Sequence, residues 1–230
     1  MRLAIIGAGF YGTFLSYKIK KKFPKFKIYL IEKEGKILTK SSINNQYRLH
    51  QGFHYPRSIN TINQTKFGYQ KFCNEFKKFI FFPKNNIYLI HKNSTVNFKK
   101  YVSVFKKNKI NFKIIKPEIF KKYLTNPKDY EGGVKVKEGV IKLEKLYFFL
   151  KNFIKKSKNI NLKLNHEVTK IDKKNGNIYF KNKQFLKNFD LIINTSYIDL
   201  NISLSKKFKV KFELASIIKI HNNYYSNSKK

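Results

Sequence analysis

Arg2-Leu3-Ala4-Ile5-Ile6-Gly7-Ala8-Gly9-Phe10-Tyr11-Gly12 is an apolar strand running straight into Gly-x-Gly-x-x-Gly. The residues after Gly12 give the pattern its force. A helix-like stretch runs from Thr13 to Lys22, Pro24 breaks it, and a second apolar strand, Lys27–Ile31, ends at Glu32, twenty positions beyond the last glycine. Strand, glycine turn, helix, strand and acid in this order read as a dinucleotide-binding unit. Gly7 permits the tight turn, Gly9 lets the backbone approach a pyrophosphate, and Gly12 lets the helix pack close to the strand. The helix N-terminus offers free N–H groups to phosphates, and a carboxylate at position 32 suits a ribose hydroxyl. Two other readings compete. One is a turn of the same shape that serves structure alone. The other is a secretory signal, because Arg2 precedes an apolar stretch to Tyr17; Lys18-Ile19-Lys20-Lys21-Lys22 then continues with charge and without a small-residue cleavage site.

The chain has 230 residues, enough for one large domain or two small ones around a substantial core. No apolar run approaches the length of a membrane span; the densest is Phe79-Ile80-Phe81-Phe82. Cys73 is the single cysteine, which excludes an internal disulfide and any cysteine-rich metal site, and a cytoplasmic location is expected. The formal net charge of +37 invites a nucleic-acid reading. Composition argues against it. Arginine occurs only at positions 2, 48 and 57, and lysine supplies the rest. Abundant Lys, Asn, Ile, Phe and Tyr is the pattern of an AT-rich genome, whereas nucleic-acid binders enrich arginine for its planar fork. The lysines are spread over the whole chain, as in a solvated surface.

Beyond Glu32 the segment Lys33–Arg57 is polar, with Gly35, Gly52 and Pro56, and reads as extended loop and short helix. A helix is expected from about Asn60 to Phe79, a strand at Asn86–His91, a helix at Val96–Lys107, and a short helix opened by Pro117 and Glu118. Glu131–Lys137 alternates as a half-exposed strand, and Leu143–Lys156 has helical spacing. Three short strands come next at 160–164, 167–172 and 177–181, the last two joined at Asn175-Gly176 and the group forming a small β-meander. Asp190–Thr195 is a short buried strand, Lys209–Ile220 one long strand, and the tail from Asn222 is polar. The expected domain boundaries are 1–82 and 139–200 for the two parts of a nucleotide-binding domain. Residues 83–138 form part of a substrate domain, and 201–230 the start of a further substrate-domain strand.

At Asn45-Gln46-Tyr47-Arg48-Leu49-His50-Gln51-Gly52-Phe53-His54-Tyr55-Pro56 the sequence resembles the FAD-dependent oxidoreductases that include D-amino-acid oxidase, glycine oxidase and L-2-hydroxyglutarate dehydrogenase. In that family a polar loop with an asparagine leads to a His-x-Gly-x-x-Tyr-like stretch packed against the flavin; Asn45, His50, Gly52 and Tyr55 take those places. Gly139-Val140-Ile141 before a helix, Glu167-Val168 near the adenine and Asp190–Thr195 beneath the cofactor complete the resemblance. It implies an α/β fold, a three-layer FAD/NAD(P)-binding Rossmann-like domain with an interleaved, incomplete α+β substrate-binding domain. It implies FAD contacts from Gly7, Gly9, Phe10, Tyr11, Gly12, Glu32, Lys33, Asn45, Arg48, Leu49, His50, Val168 and Thr195. It also implies oxidation of a small amine, amino acid or 2-hydroxy acid by hydride transfer. Two departures stand out. Relatives end the returning strand in a small-small-Gly sequence where this chain has Thr195-Ser196-Tyr197. The family also continues beyond the point where this sequence stops. The resemblance therefore calls for a complementary C-terminal chain, or implies a truncated nucleotide-binding fragment that is inactive alone. Apart from the resemblance, a polar loop after the acid in place of a third parallel strand favours FAD over a nicotinamide cofactor.

The candidate catalytic residues are His50 and His54, since a base titrating near neutrality suits removal of a substrate proton. For His50 the alternative is packing within the loop without touching substrate. Arg48 and Arg57, retained against a lysine bias, suggest a planar partner such as carboxylate or phosphate, with a surface ion pair as the alternative for Arg57. His91, His166 and His221 have no metal-ligand spacing and no metal is expected; Cys73, on a helix stripe, is expected in the core.

Overall fold

Leu3, Ala4, Ile5 and Ile6 are all buried, so the first strand needs cover on both faces. A computed structural model of the chain describes residues 1–119, 124, 126–197, 201, 202, 204 and 206–209. In chain order its elements are β1 (Arg2–Ile6), α1 (Phe10–Lys22), β2 (Lys27–Ile31), β3 (Arg48–Leu49), α2 (Ile59–Phe76), β4 (Ile80–Phe81), β5 (Asn86–His91), α3 (Phe98–Lys107) and β6 (Phe112–Ile115). They continue with β7 (Tyr130–Val136), β8 (Gly139–Ile141), α4 (Leu143–Lys156), β9 (Ile160–Lys163), β10 (Val168–Asp172), β11 (Asn177–Phe180), β12 (Phe185–Leu186) and β13 (Leu191–Asn194). The chain divides into two compact units: Met1–Asn45 with the described residues of Tyr147–Lys230, and Gln46–Leu146.

The first unit is built on a parallel sheet of order β13-β1-β2-β9. On one side α1 packs against the C-terminal part of α4, where the Tyr17 ring meets Phe149 and Phe153 edge-on at centroid distances of 5.5 and 4.9 Å. The antiparallel β10-β11-β12 covers the other side, burying Val168, Ile178 and Phe180 against Ala4, Ile6 and Ile31. Helix, parallel sheet and meander are the three layers. Arg2 is held between the rings of Tyr29 and Phe189, 4.3 and 5.0 Å from their centroids, which accounts for one of the three arginines.

In the second unit the antiparallel β5-β7-β6 sheet carries α3 on one face. Phe53, Ile62, Tyr101, Phe105 and Val134 form its core. A smaller antiparallel sheet, β3-β8-β4, ties the segment around Arg48 to Gly139–Ile141 and Ile80–Phe81. The helices begin where local chemistry allows. Ser58 caps α2 through Thr61 N–H (3.3 Å), and Asn97 caps α3 through Lys100 N–H (2.8 Å).

Several expectations change. Residues 160–164 do not belong to a β-meander: β9 is the fourth strand of the parallel sheet, paired with β2 from Ile28↔Ile160 to Ile31↔Lys163. A further parallel strand beyond the acid thus exists, but it comes after the whole second unit. The meander is instead β10–β12. Asp190–Thr195 forms β13 at an edge of the described sheet, with Leu191 45% exposed rather than buried. The segment 46–82 packs with 83–146 rather than with the first strands, because β3 and β4 both pair with β8. Residues 117–119 make a 3-10 turn, and the strand expected at 209–220 lies almost wholly outside the described residues.

Candidate functional site

The turn between β1 and α1 shows why glycine stands at each place. Gly7 has φ +94°, a conformation that side chains rarely adopt, and its N–H donates to Ile31 carbonyl oxygen at 2.8 Å. A Cβ on Gly12 would collide with the carbonyl oxygen of Gly7, so only glycine lets α1 approach the strand this closely. Gly9 is different. Its φ of −68° suits any residue, and a Cβ there would meet only the Ser42 hydroxyl oxygen, at 3.1 Å. Folding does not require glycine at position 9; the space beside it does.

That space is a cavity of about 300 Å³. Gly7 and Gly9 floor it with Thr195 beside them, Glu32 and Lys33 border it, and Thr39–Ser42 and Val168 complete the lining. The Glu32 carboxylate is aimed by the backbone: Oε2 accepts from Ala8 N–H at 2.7 Å and Oε1 from Glu34 N–H at 3.0 Å. A carboxylate offers about four lone-pair sites, so two remain for hydroxyl donors. No side chain of the N-cap residue caps α1; the Ser42 hydroxyl does so from a distant loop, accepting from Phe10 N–H at 3.0 Å. Asn45 Nδ2 fastens that loop by donating to the carbonyls of Ser41 and Ser42 at 3.0 and 3.2 Å, and the Tyr147 hydroxyl donates to Ser42 carbonyl. Thr195 turns its hydroxyl onto the carbonyls of Ile6 and Gly7, at 2.8 and 3.0 Å, bracing the turn from β13. Helix N-terminus, open glycine floor, hydroxyl wall and aimed carboxylate suit a nucleoside diphosphate.

The second unit holds the candidate catalytic residues and a polar network around a residue that sequence reasoning missed. Glu138 is 1% exposed. Its Oε2 accepts from Tyr88 hydroxyl at 2.7 Å and from Arg48 Nη2 at 3.1 Å, and its Oε1 accepts from Gln51 N–H at 2.6 Å. Arg48 also donates to Tyr88 oxygen (Nη2, 2.7 Å) and to His54 Nε2 (Nη1, 2.9 Å). Burial and the neighbouring carboxylate push the Tyr88 phenol far above its ordinary value, so it stays protonated and donates. Burial lowers His50 below 6.5, against the pull of Glu138, and lowers His54 too, helped by Arg48 and His50. The two imidazoles stand 5.7 Å apart. His50 Nδ1 is buried without a hydrogen-bond partner. Gly52, with φ +101° and a would-be Cβ 3.1 Å from Ile62 Cα, lets this loop lie on α2.

The sequence-expected residues therefore fall into two groups. Gly7, Gly9, Glu32, Lys33, Val168 and Thr195 line one cavity; Phe10 and Gly12 open the helix beside it, while Tyr11 is 74% exposed and Asn45 acts through the loop. Arg48, Leu49, His50 and His54 lie in the second unit, where Leu49 is buried. Among residues not expected, Ser42 and His166 border the cavity. Only the small polar run Thr39–Ser42 signalled the first. Glu138 had a signal as well: an acid kept directly before Gly139 in a chain with 13 acids against 50 basic residues. Cys73 is half-buried rather than in the core, with its thiol raised by burial, and it hydrogen-bonds Tyr69, whose phenol is pushed up to about 12. Among the described residues no helix is long and apolar enough to cross a membrane, and no cluster of His, Cys, Asp or Glu could hold a metal ion.

No family model matches the chain. In sequence it is similar to an FAD-dependent monooxygenase of Fusarium mangiferae, 25% identical over 206 residues, covering 88% of this chain and 52% of that protein. It is also similar to an FAD-dependent monooxygenase of Aspergillus flavus, 32% identical over 88 residues, covering 38% and 20%. Glycine oxidase from Geobacillus kaustophilus matches in structure with a TM-score of 0.65 at 13% identity, over 85% of this chain and 55% of that one. L-α-glycerophosphate oxidase from Mycoplasma pneumoniae, solved with FAD bound, matches with a TM-score of 0.63 at 19% identity, over 83% and 52%. At these identities the likeness establishes the fold, a Rossmann-like α/β fold shared with FAD-dependent oxidoreductases. The chain spans about half the length of the first of these sequence relatives.

Proposed function

We propose that the protein is an FAD-dependent oxidoreductase, whose first unit binds the adenosine diphosphate part of FAD. The observation that carries this reading is the cavity at the N-terminus of α1, with a glycine floor at Gly9 and the Glu32 carboxylate aimed by two backbone N–H groups. Gly9 and the first turn of α1 would hold the pyrophosphate, Glu32 the ribose hydroxyls, and the backbone at Val168 the adenine. Bound FAD would supply a hydride acceptor. The chain's own contribution to the chemistry is a proton acceptor, and His50 fits that role: its buried Nδ1 has no hydrogen-bond partner and burial lowers its midpoint, which favours the neutral ring. His54 fits less well as a base because Arg48 already donates to its Nε2.

The proposed substrates are small amines, amino acids or 2-hydroxy acids. This class is supported by the family resemblance of the Asn45–Pro56 stretch and by the likeness of the fold to glycine oxidase. Anaerobic mixing of the FAD-loaded protein with panels of the three substrate classes tests the reading. Bleaching of the flavin's visible absorbance by one panel supports it. Retained FAD with bleaching by none of them would keep the nucleotide site and remove the oxidation from this chain.

A further inference from the structure

An arginine side chain has only donors, so a guanidinium nitrogen 2.9 Å from His54 Nε2 requires a lone pair on that nitrogen. A protonated His54 would instead set two donors and two positive charges face to face. His54 in this contact is therefore neutral, with its proton on Nδ1. What keeps Arg48 there is Glu138. The Arg48–Glu138 ion pair is 3.1 Å long, and the carboxylate side is fully buried, so water does not compete for it. The other oxygen of Glu138 accepts from the backbone N–H of Gln51, between His50 and Gly52. One carboxylate thus fixes both the backbone that carries His50 and the side chain that occupies His54.

We propose that Glu138 is a positioning residue: by holding Arg48 against Nε2 of His54 it fixes that ring in the Nδ1–H tautomer, leaving His50 as the histidine of the loop with an unpartnered ring nitrogen. The charged and titratable groups facing the two rings among the described residues are Arg48, Glu138, Tyr55 and Tyr88, together with each ring for the other. Tyr88 meets His54 edge-on at 5.0 Å and links Arg48 to Glu138 through its hydroxyl. The assignment divides the labour between two histidines that the sequence leaves equivalent. The catalytic meaning of an unpartnered His50 nitrogen rests on the flavin-dependent reading; the tautomer of His54 does not.

Nitrogen-15 NMR of the full chain, labelled at histidine and assigned with the His50→Asn and His54→Asn variants, tests this directly. In the wild type His54 should show one protonated Nδ1 and one bare Nε2 through the neutral range. Glu138→Gln keeps the shape but loses the charge: His54 should become a mixture of tautomers and the His50 midpoint should move down. Arg48→Met should also release the tautomer and should move both midpoints up. A His54 that keeps the single Nδ1–H form in both variants would overturn the proposal, as would a His50 midpoint that moves in neither. If Glu138→Gln does not fold, Arg48→Met alone decides, since the Tyr88 hydroxyl and Gln51 N–H still donate to the buried carboxylate that it leaves. FAD titration of the same samples reports separately on the nucleotide reading.

Discussion

At the scale of single residues, the three glycines of the turn are not interchangeable, and the difference separates folding from binding. Gly12→Ala would force a methyl group into the Gly7 carbonyl and should cost on the order of 1–3 kcal/mol of stability. Gly9→Ala should cost less stability than Gly12→Ala, about 1 kcal/mol at most because only the Ser42 cap must shift, yet weaken nucleotide binding by placing a methyl group in the cavity floor. Parallel melts and FAD titrations of the two variants check this, and equal effects on both properties would contradict it. The histidine pair gives a second residue-scale outcome. Both rings have folded midpoints below the unfolded value of 6.5, so the unfolded chain binds more protons in that window. Their contribution to stability is complete above about pH 6.5 and is lost as pH falls through the lowered folded midpoints. Urea midpoints should rise from pH 5 to pH 7, and replacing both histidines by glutamine should flatten that rise.

At the scale of elements, the end of β13 shows how a departure from a family pattern is accommodated. The resemblance puts glycine near Tyr197, and the structure gives Tyr197 φ +58°, a left-handed conformation, with its side chain 73% exposed at the cavity rim. A bulky residue there is strained by roughly 1–2 kcal/mol. Tyr197→Gly should therefore raise stability by about 1 kcal/mol and tighten FAD by opening the rim; a melt and a titration measure both. Most elements were legible in the sequence for plain reasons. β1, β2 and β5 are apolar runs closed by turn residues, and α4 has unbroken helical spacing over Leu143–Lys156. β9 was not, because its partner β2 lies across the whole second unit and no local period reveals a long-range parallel pairing. β3, β4 and β12 are two residues each, too short for any period to show. The candidate site divides in the same way. The glycine turn and Glu32 are local in sequence and were legible, whereas Glu138 reaches Arg48 and Gln51 over 90 and 87 positions and becomes visible only when β8 pairs with β3.

At the scale of the whole molecule, the net charge of +37 is a diffuse lysine field, while the cavity proposed for nucleotide is lined by a few aimed groups in the first unit. A field of that kind attracts any polyanion and is screened within about 10 Å at 0.1 M salt. A nucleotide held by backbone N–H groups, Glu32 and the Thr39–Ser42 wall should be discriminated by its shape instead. If the proposed cavity takes the adenosine diphosphate part of FAD, calorimetric titration of the wild-type chain at moderate salt should show FAD and ADP binding and FMN, which lacks the adenosine half, not binding. The same titration of Glu32→Ala should show FAD weakened by about 10- to 100-fold, the equivalent of about one charge-assisted hydrogen bond. FMN binding as tightly as FAD, or FAD affinity unchanged in Glu32→Ala, would contradict the proposal.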